Sequence, residues 1–436
     1  MKKMLCLAII IFATAVGINA QSFKTGYFLD NYLFSYEINP AARPADTRGF
    51  VGIGIDNICV GANGNVGLDS FLFPVTVDGK KALVTGLNEN VDADTFLGGL
   101  KDNNRICTDV SLNLLGFGFS GERYFCTVEL NVRANVMASV PKDVFTILKT
   151  AGDRDGTYSI NGVELGTTDY LELVTGYSYR ISDRVSVGGR VKFLAGAADG
   201  YICFDSINAT SGTDLEYNTS GSLDLYALGQ TMTPDENGNF NPDFDVDPRN
   251  LRPGGYGFAF DLGVEASFME ENRLELSASI LDLGGIFWRR GCHAISDCSG
   301  RIGAETEGQD SFPGLFRVET SDASDFIGIG TKANLGVKYR FSDMFSAGVL
   351  ASSGIGRYSV TEARIGASFS PWSCLSLAAS GGVNNYGTSI GCGLSFRVPG
   401  ISLFVGTDSV ITSFTPEFIP IRKLNTRVNA GLAIAF

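Results

Sequence analysis

Residues 124–137 read "YFCTVELNVRANVM". Taken alternately, Tyr124, Cys126, Val128, Leu130, Val132, Ala134 and Val136 share one face, while Thr127, Glu129, Asn131, Arg133 and Asn135 share the other. Successive side chains of an extended chain point to opposite sides, so a period of two marks a strand. One face is continuously apolar and the other carries ions of both signs. A soluble sandwich satisfies the pattern with its apolar face inward, and a membrane barrel satisfies it with that face turned to lipid.

The alternation recurs. Val185, Val187, Val191, Phe193 and Ala195 oppose Arg184, Ser186, Arg190 and Lys192. Phe258, Phe260, Leu262, Val264 and Phe268 oppose Asp261 and Glu265, and Leu335, Val337, Tyr339 and Phe341 oppose Asn334, Lys338 and Arg340. Fourteen such strands are predicted, near 49–62, 104–118, 121–139, 169–181, 184–206, 254–269, 272–287, 328–341, 344–357, 361–370, 373–383, 385–397, 400–411 and 425–436.

The connections separate the two solutions. Every second one is tight: "GE" at Gly121, "SD" at Ser182-Asp183, "EE" at Glu270-Glu271, "SD" at Ser342-Asp343, "PW" at Pro371-Trp372 and "PG" at Pro399-Gly400. Between them lie long connections near 63–103, 140–168, 207–253 and 288–327. Short turns at one end and long loops at the other are the habit of outer-membrane barrels, and a sandwich has no reason to sort them. The expected fold is therefore all-β, a transmembrane antiparallel barrel of about fourteen strands. "GYSYRISDRVSVGG" from Gly176 and "GVKYRFSDMFSAGV" from Gly336 repeat one hairpin, each centred on a Ser-Asp turn.

Composition agrees. The chain is 44% hydrophobic, 19% charged and has 54 glycines. After Ala20 no run approaches the roughly 18 apolar residues of a spanning helix. "MKKMLCLAIIIFATAVGINA" reads as an export signal over 1–20, cleaved near Ala20, with the barrel over 49–436 and localisation in the outer membrane of a Gram-negative cell. Without Lys2 and Lys3 the charge moves from −13 to −15, 32 basic against 47 acidic residues, which argues against a nucleic-acid partner. The last strand ends "NAGLAIAF", and Asn429, Gly431, Ile434 and Phe436 stand where an assembly signal read by the barrel assembly machinery is expected.

Before the first strand, residues 21–48 contain "YEINPAARP". Pro40 and Pro44 forbid regular hydrogen-bonded structure there. A fourteen-strand barrel is too wide for its own side chains to fill, so this segment is expected to fold inside as a plug. The Asn39-Pro40-Ala41 triplet, the fourteen strands and the terminal Phe436 resemble the long-chain fatty acid transporter family of outer-membrane barrels. Within that superfamily, "GYFLDNYLFSYEINPAARP" and "GFVGIGIDNICVGANGNVGLDSFLFP" are similar to an uncharacterised barrel family of Bacteroidota-type bacteria. The resemblance implies that Asn39, Pro40 and Ala41 lie in an N-terminal hatch. One departure stands out: the lumen face carries Glu129, Arg133, Arg190, Lys192, Asp261, Glu265, Glu275, Lys338 and Arg340, where that family has a greasy path.

Other constellations carry less. Asp235, Asn237, Asn239, Asp243 and Asp245 alternate in one loop, hard oxygen ligands that suit Ca2+, but Phe240 stands where an EF-hand loop needs glycine. Gly387-Thr388-Ser389-Ile390-Gly391 matches a nucleophile elbow but lies within strand alternation, and the one histidine, His293, is in another connection. No enzyme is expected. Cys292 with Cys298, and Cys59 with Cys107, are candidate disulfides of an oxidising compartment. Two functions follow: passive uptake of a hydrophobic or amphipathic small molecule past the plug, or a platform whose long loops dock a secreted or surface protein.

Overall fold

The computed structural model describes residues 23–44, 48–54, 57–77, 80–150, 156–211, 215–241, 252–302, 315–356, 359–410 and 426–436. The expected export signal lies outside them. In chain order the strands are β1 (Gly49–Ile53), β2 (Ile58–Gly64), β3 (Leu72–Val77), β4 (Lys80–Thr85), β5 (Asn103–Ser120), β6 (Tyr124–Pro141) and β7 (Gly156–Ile160). Then follow β8 (Val163–Ser182), β9 (Val185–Ser211), β10 (Leu215–Ala227), β11 (Gly255–Phe268), β12 (Leu274–Ile302), β13 (Arg317–Gly328) and β14 (Lys332–Arg340). The chain ends with β15 (Phe345–Gly354), β16 (Glu362–Trp372), β17 (Leu375–Asn384), β18 (Gly387–Val398), β19 (Ile401–Ser409) and β20 (Thr426–Ala435).

Fourteen of these positions make a closed antiparallel ring, β1 and β2 counting as one interrupted strand and β3, β4, β7, β10 and β13 lying outside it. Each wall strand pairs with the next, and β20 returns to the start, with Phe50 opposite Ala435 and Cys59 opposite Asn429. Closure gives every strand of the ring a partner on both sides among the described residues, the condition for crossing a membrane with strands.

The faces decide where the ring sits. Leu335 is 64% exposed and Phe258 57%, whereas Glu129 and Asp261 are 1% exposed. The apolar face points out and the ionic face in, the inverse of a soluble sandwich, and such an exterior is stable only against lipid. Exposed aromatics ring both ends: Phe119, Tyr124, Tyr179, Phe268, Phe341, Phe345 and Trp372 near the short turns, and Phe193, Tyr256, Phe258, Phe287 and Phe326 towards the long connections. Phe258 and Phe268 lie ten residues apart on β11, roughly 25 Å of height for a strand tilted by about 40°, which matches the apolar band of such barrels.

The two Ser-Asp turns are built alike. Ser182 Oγ accepts from the N–H of Arg184 and Val185, and Ser342 Oγ from the N–H of Met344 and Phe345. One predicted turn moves: β16 runs through Pro371 and Trp372, and the chain reverses at Ser373-Cys374. Pro371 is tolerated in that position because the ladder breaks in register between Phe369 and Trp372.

The long connections are not simple loops. β9 has 27 residues and β12 has 29, so both continue past the wall, and β10 pairs with both of them there while β13 pairs with β12. Residues expected as loop over 207–253 and 288–327 thus contribute two further strands and extend two wall strands. The alternation continues beyond the membrane band, with Leu223, Ala294 and Phe204 packed on one face. Two helices, α1 (Ala93–Gly98) and α2 (Lys142–Thr150), pack Phe96 and Phe145 together over the same end. Asp92 caps α1 by accepting from the Thr95 N–H at 2.8 Å.

Neither expected disulfide forms. Cys59 stands opposite Ser111 and Cys107 opposite Asn63, four positions along the ladder, roughly 13 Å and beyond bridging distance. Cys292 is a free thiol.

Candidate functional site

Residues 23–44 contribute no strand to the wall; among them are two short 3-10 turns, Lys24–Phe28 and Ser35–Glu37. None of the 22 is exposed. They lie inside the ring, where Phe23, Phe28, Tyr32, Leu33, Phe34 and Tyr36 form one apolar cluster with inward residues of the wall such as Phe50, Phe125, Leu350 and Phe404. Tyr32 meets Phe404 edge-on at 5.0 Å between ring centroids, and Tyr36 stacks on Phe50 at 6.3 Å.

Polar contacts fix the segment at both ends. At the first, Asp408 accepts from the backbone N–H of Lys24 (3.0 Å) and Thr25 (2.7 Å) and from the Thr25 hydroxyl (2.6 Å). Lys24 Nζ reaches Glu362 at 2.8 Å, and Arg364 holds the other oxygen of that carboxylate. Between the ends, Asp30 pairs with Lys338 at 2.7 Å and accepts from Ser370. At the far end, Arg43 Nη2 donates to the Gly121 carbonyl at 2.8 Å.

The Asn39-Pro40-Ala41 triplet rests on two glycines of adjacent wall strands. A Cβ at Gly188 of β9 would come within 2.0 Å of the Pro40 carbonyl oxygen, and one at Gly263 of β11 within 2.0 Å of Asn39 Oδ1. Only a bare backbone permits that approach. Asn39 Oδ1 accepts from the Ala41 N–H at 3.0 Å and shapes the turn, while Asn39 Nδ2 donates to the Val264 carbonyl at 3.0 Å. The Ile38 carbonyl accepts from Ser279 Oγ (2.7 Å) and Asn334 Nδ2 (3.1 Å).

The inward charges named from the sequence form a chain beside this seat. Tyr36 donates its hydroxyl to Glu129, and Arg190 pairs with Glu129 while its guanidinium lies 5.6 Å from the Tyr36 ring centroid. Asp261 joins Arg190 (3.6 Å) to Lys192 (3.0 Å), and Lys192 continues to Asp282 and through it to Lys332. Arg133 pairs with Glu172 at 2.7 Å. Glu265 and Glu275 are half-buried on neighbouring strands nearer the short turns, and Arg340 is exposed at that rim. Burial, with Glu129 as neighbour, pushes the Glu37 carboxyl up to about 7, and Asn57 Nδ2 donates to it at 2.6 Å.

A second charged group escaped the sequence reading: Asp109, Glu362, Arg364, Asp408 and Arg427, with Arg427 on Asp109 at 3.0 Å. Glu362 and Arg364 share the even-numbered face of β16, so the alternation could have found them. The link from Lys24 to Glu362 crosses 338 positions and leaves no local trace.

Towards the long connections the interior changes character. Trp288, Tyr226, Tyr170, Leu194, Ile286 and Ala259 pack together, with Tyr226 and Trp288 rings 5.8 Å apart. Above them Phe204, Met232, Phe240 and Phe316 form a further apolar cluster.

The remaining sequence candidates fall elsewhere. Asn429 and Gly431 point inward, Ile434 and Phe436 outward, and the Phe436 carbonyl closes the seam by accepting from Arg48 and Gly49 N–H. Asp235 accepts from the N–H of Asn237 and Asn239 in its own turn, while Asp243 and Asp245 lie outside the described residues. Among the described residues no three His, Cys, Asp or Glu groups gather as metal ligands. Ser389 lies within β18, near its start, and accepts from Arg364 at 2.9 Å, and His293 pairs with Asp224 at 2.6 Å.

No curated protein matches the chain in sequence. Among solved structures it is similar to the Pseudomonas putida toluene transporter TodX, at 10% identity over 91% of each chain and a TM-score of 0.43. It is similar also to the Ralstonia pickettii toluene transporter TbuX, at 10% identity over 91% of each chain and a TM-score of 0.42. A Pseudomonas aeruginosa FadL homologue shares 13% identity over 96% of this chain and 98% of that one, at a TM-score of 0.42. A family model matches residues 40–408, and the chain belongs to that family, the family of unknown function DUF5723.

Proposed function

We propose that the protein is a plugged channel of the outer membrane for passive entry of hydrophobic or amphipathic small molecules, with residues 23–44 as the plug. One observation carries the reading: the interior of a closed ring is occupied by a segment that takes no part in strand pairing and is held by side-chain contacts. Such a segment can shift without costing the wall a single ladder bond. A purely structural filler would need no such independence.

The two halves of the interior suggest the solute. The apolar cluster of Tyr170, Tyr226 and Trp288 lies towards the long connections around β8, β10 and β12, while the segment, with paired charges beside it, runs from the short turn at Gly121 up to Glu362 and Asp408 at the far ends of β16 and β19. A molecule with an apolar body is received by the first region and meets hydrogen-bonding groups at the second, the division usual in small-molecule sites. Buried ion pairs of this kind cost desolvation and do not by themselves favour the fold, so a role in seating the segment accounts for their presence.

The test is uptake into proteoliposomes of a fluorescent alkyl probe, compared with a sugar of similar mass. Faster entry of the alkyl probe alone supports the proposal. Equal rates to protein-free vesicles for both, with a protein partner co-purifying from native membranes, would move the function to docking.

A further inference from the structure

Three arginines gather at one place on the outer surface, although acidic residues outnumber basic ones by 47 to 34 in the chain. Arg252, Arg289 and Arg290 line a recess of about 400 Å³ together with Gly229, Tyr256 and Phe287. All three arginines are exposed. Among the described residues Arg290 Nη1 has one long contact, 3.4 Å, to the Gly229 carbonyl. Asp325, in register with Trp288 on β13, forms no ion pair with them among the described residues, and its carboxylate accepts from the Phe326 N–H instead.

Local backbone puts two of them side by side. Trp288 and Gly291 are both buried, with Arg289 and Arg290 between them, and the pairing of β12 with β13 shifts register there. Arg290 takes φ of 60°, a left-handed conformation uncommon outside glycine. A bulge of this kind re-aims side chains, and non-glycine residues held in it cluster at functional sites. Here it turns two consecutive guanidiniums outward where strict alternation would present one.

Height supplies the second argument. Tyr256 and Phe287 belong to the aromatic row nearest the long connections and are 53% and 61% exposed. The arginines follow within a few residues along β12 and precede β11, so they stand where acyl chains give way to headgroups. Phosphate esters are the anions of that layer, and a guanidinium binds them through paired, charge-assisted hydrogen bonds.

We propose that Arg252, Arg289 and Arg290 bind the phosphate ester of a membrane-lipid headgroup, with the acyl chains lying over Tyr256 and Phe287. The site is separate from the plugged interior, and its failure would leave the channel reading untouched.

The experiment is native mass spectrometry of the full chain in detergent, titrated with bisphosphorylated lipid A, with the same lipid enzymatically dephosphorylated, and with inorganic phosphate. The wild type retains the phosphorylated lipid best. The triple variant Arg252→Gln, Arg289→Gln, Arg290→Asn binds it about 10-fold more weakly or worse while still migrating as a folded barrel before boiling. Asn suits the left-handed position of Arg290. Equal retention by the folded triple variant overturns the assignment. Should that variant fail to assemble, the wild type decides alone: equal binding of the phosphorylated and dephosphorylated lipids removes the site. Saturation by inorganic phosphate without lipid retention overturns the lipid as its ligand.

Discussion

The two halves of the interior are filled by different means. Towards the long connections the space is lined by the sheet itself: Trp288 and Tyr170 stand on wall strands and Tyr226 on β10, which pairs with β9 and β12, so their backbones stay in the ladder while their side chains can turn. The rest is taken by residues 23–44, which run from the short turn at Gly121 up to Asp408 and touch the wall through side chains, carbonyls and glycine seats. Residues of both regions are buried, so burial alone does not tell a fixed lining from a removable filling. What distinguishes them is whether the backbone that carries the filling side chains is itself held in the ladder.

The largest effect that would break this comparison is removal of the segment. A chain lacking residues 23–44 keeps every wall pairing, so it is expected to assemble, migrate faster unheated than boiled, and show open-channel current in planar bilayers where the intact chain is closed. Full assembly with no current would show that the self-filled half seals the barrel alone.

Next in size is Asp408→Ala. It leaves the N–H groups of Lys24 and Thr25 and the Thr25 hydroxyl without their acceptor, at roughly 1–3 kcal/mol each where they remain buried. Frequent transient openings are expected, together with cleavage of the segment by added protease. Protection equal to the wild type would place the anchor elsewhere.

Gly263→Val acts on the other end of the seat. The added carbon collides with Asn39 Oδ1, and overpacking of this sort costs about 1–3 kcal/mol. Openings should rise less than with Asp408→Ala, and Ala41→Gly should not correct them because the clash is with Asn39 and Pro40. A silent Gly263→Val would mean that the triplet is loosely held.

The smallest effect concerns pH. Glu37 rises from an ordinary 4.5 to about 7 in its seat because burial, helped by Glu129, disfavours its charged form. The seated state therefore binds the proton more tightly than the released one, and this contribution is fully present below pH 4.5 and lost as pH climbs to about 7. Opening should become more frequent across that window, and Glu37→Gln should flatten the dependence. A flat wild-type profile would contradict the seating of Glu37.

The barrel was legible in the sequence because period two and the sorting of turn lengths are local properties. Val128 and Glu129 announce opposite faces within two residues, and Ser182-Asp183 announces its turn. Length misled at 207–253 and 288–327: β10 has its own alternation, Tyr217, Leu223 and Leu225 against Asn218, Ser222 and Asp224, but it lies in a stretch between two wall strands that reads by its length as one loop. In the interior, Glu129, Arg190, Lys192 and Asp261 were visible by parity, but their partners were not. Tyr36 meeting Glu129, or Thr25 meeting Asp408, depends on how an irregular segment threads the ring, and no spacing rule carries that information.

The claim that residues 23–44 form a movable plug is tested most directly by locking them. The hydroxyl oxygens of Thr25 and Ser380 lie 2.8 Å apart, so cysteines introduced by Thr25→Cys and Ser380→Cys stand within disulfide reach. Alkyl-probe uptake by proteoliposomes of this double variant is measured oxidised and after reduction, with the crosslink mapped by mass spectrometry. The account predicts uptake abolished in the oxidised protein and restored on reduction. Uptake at the same rate in both states, with the crosslink complete, would contradict it.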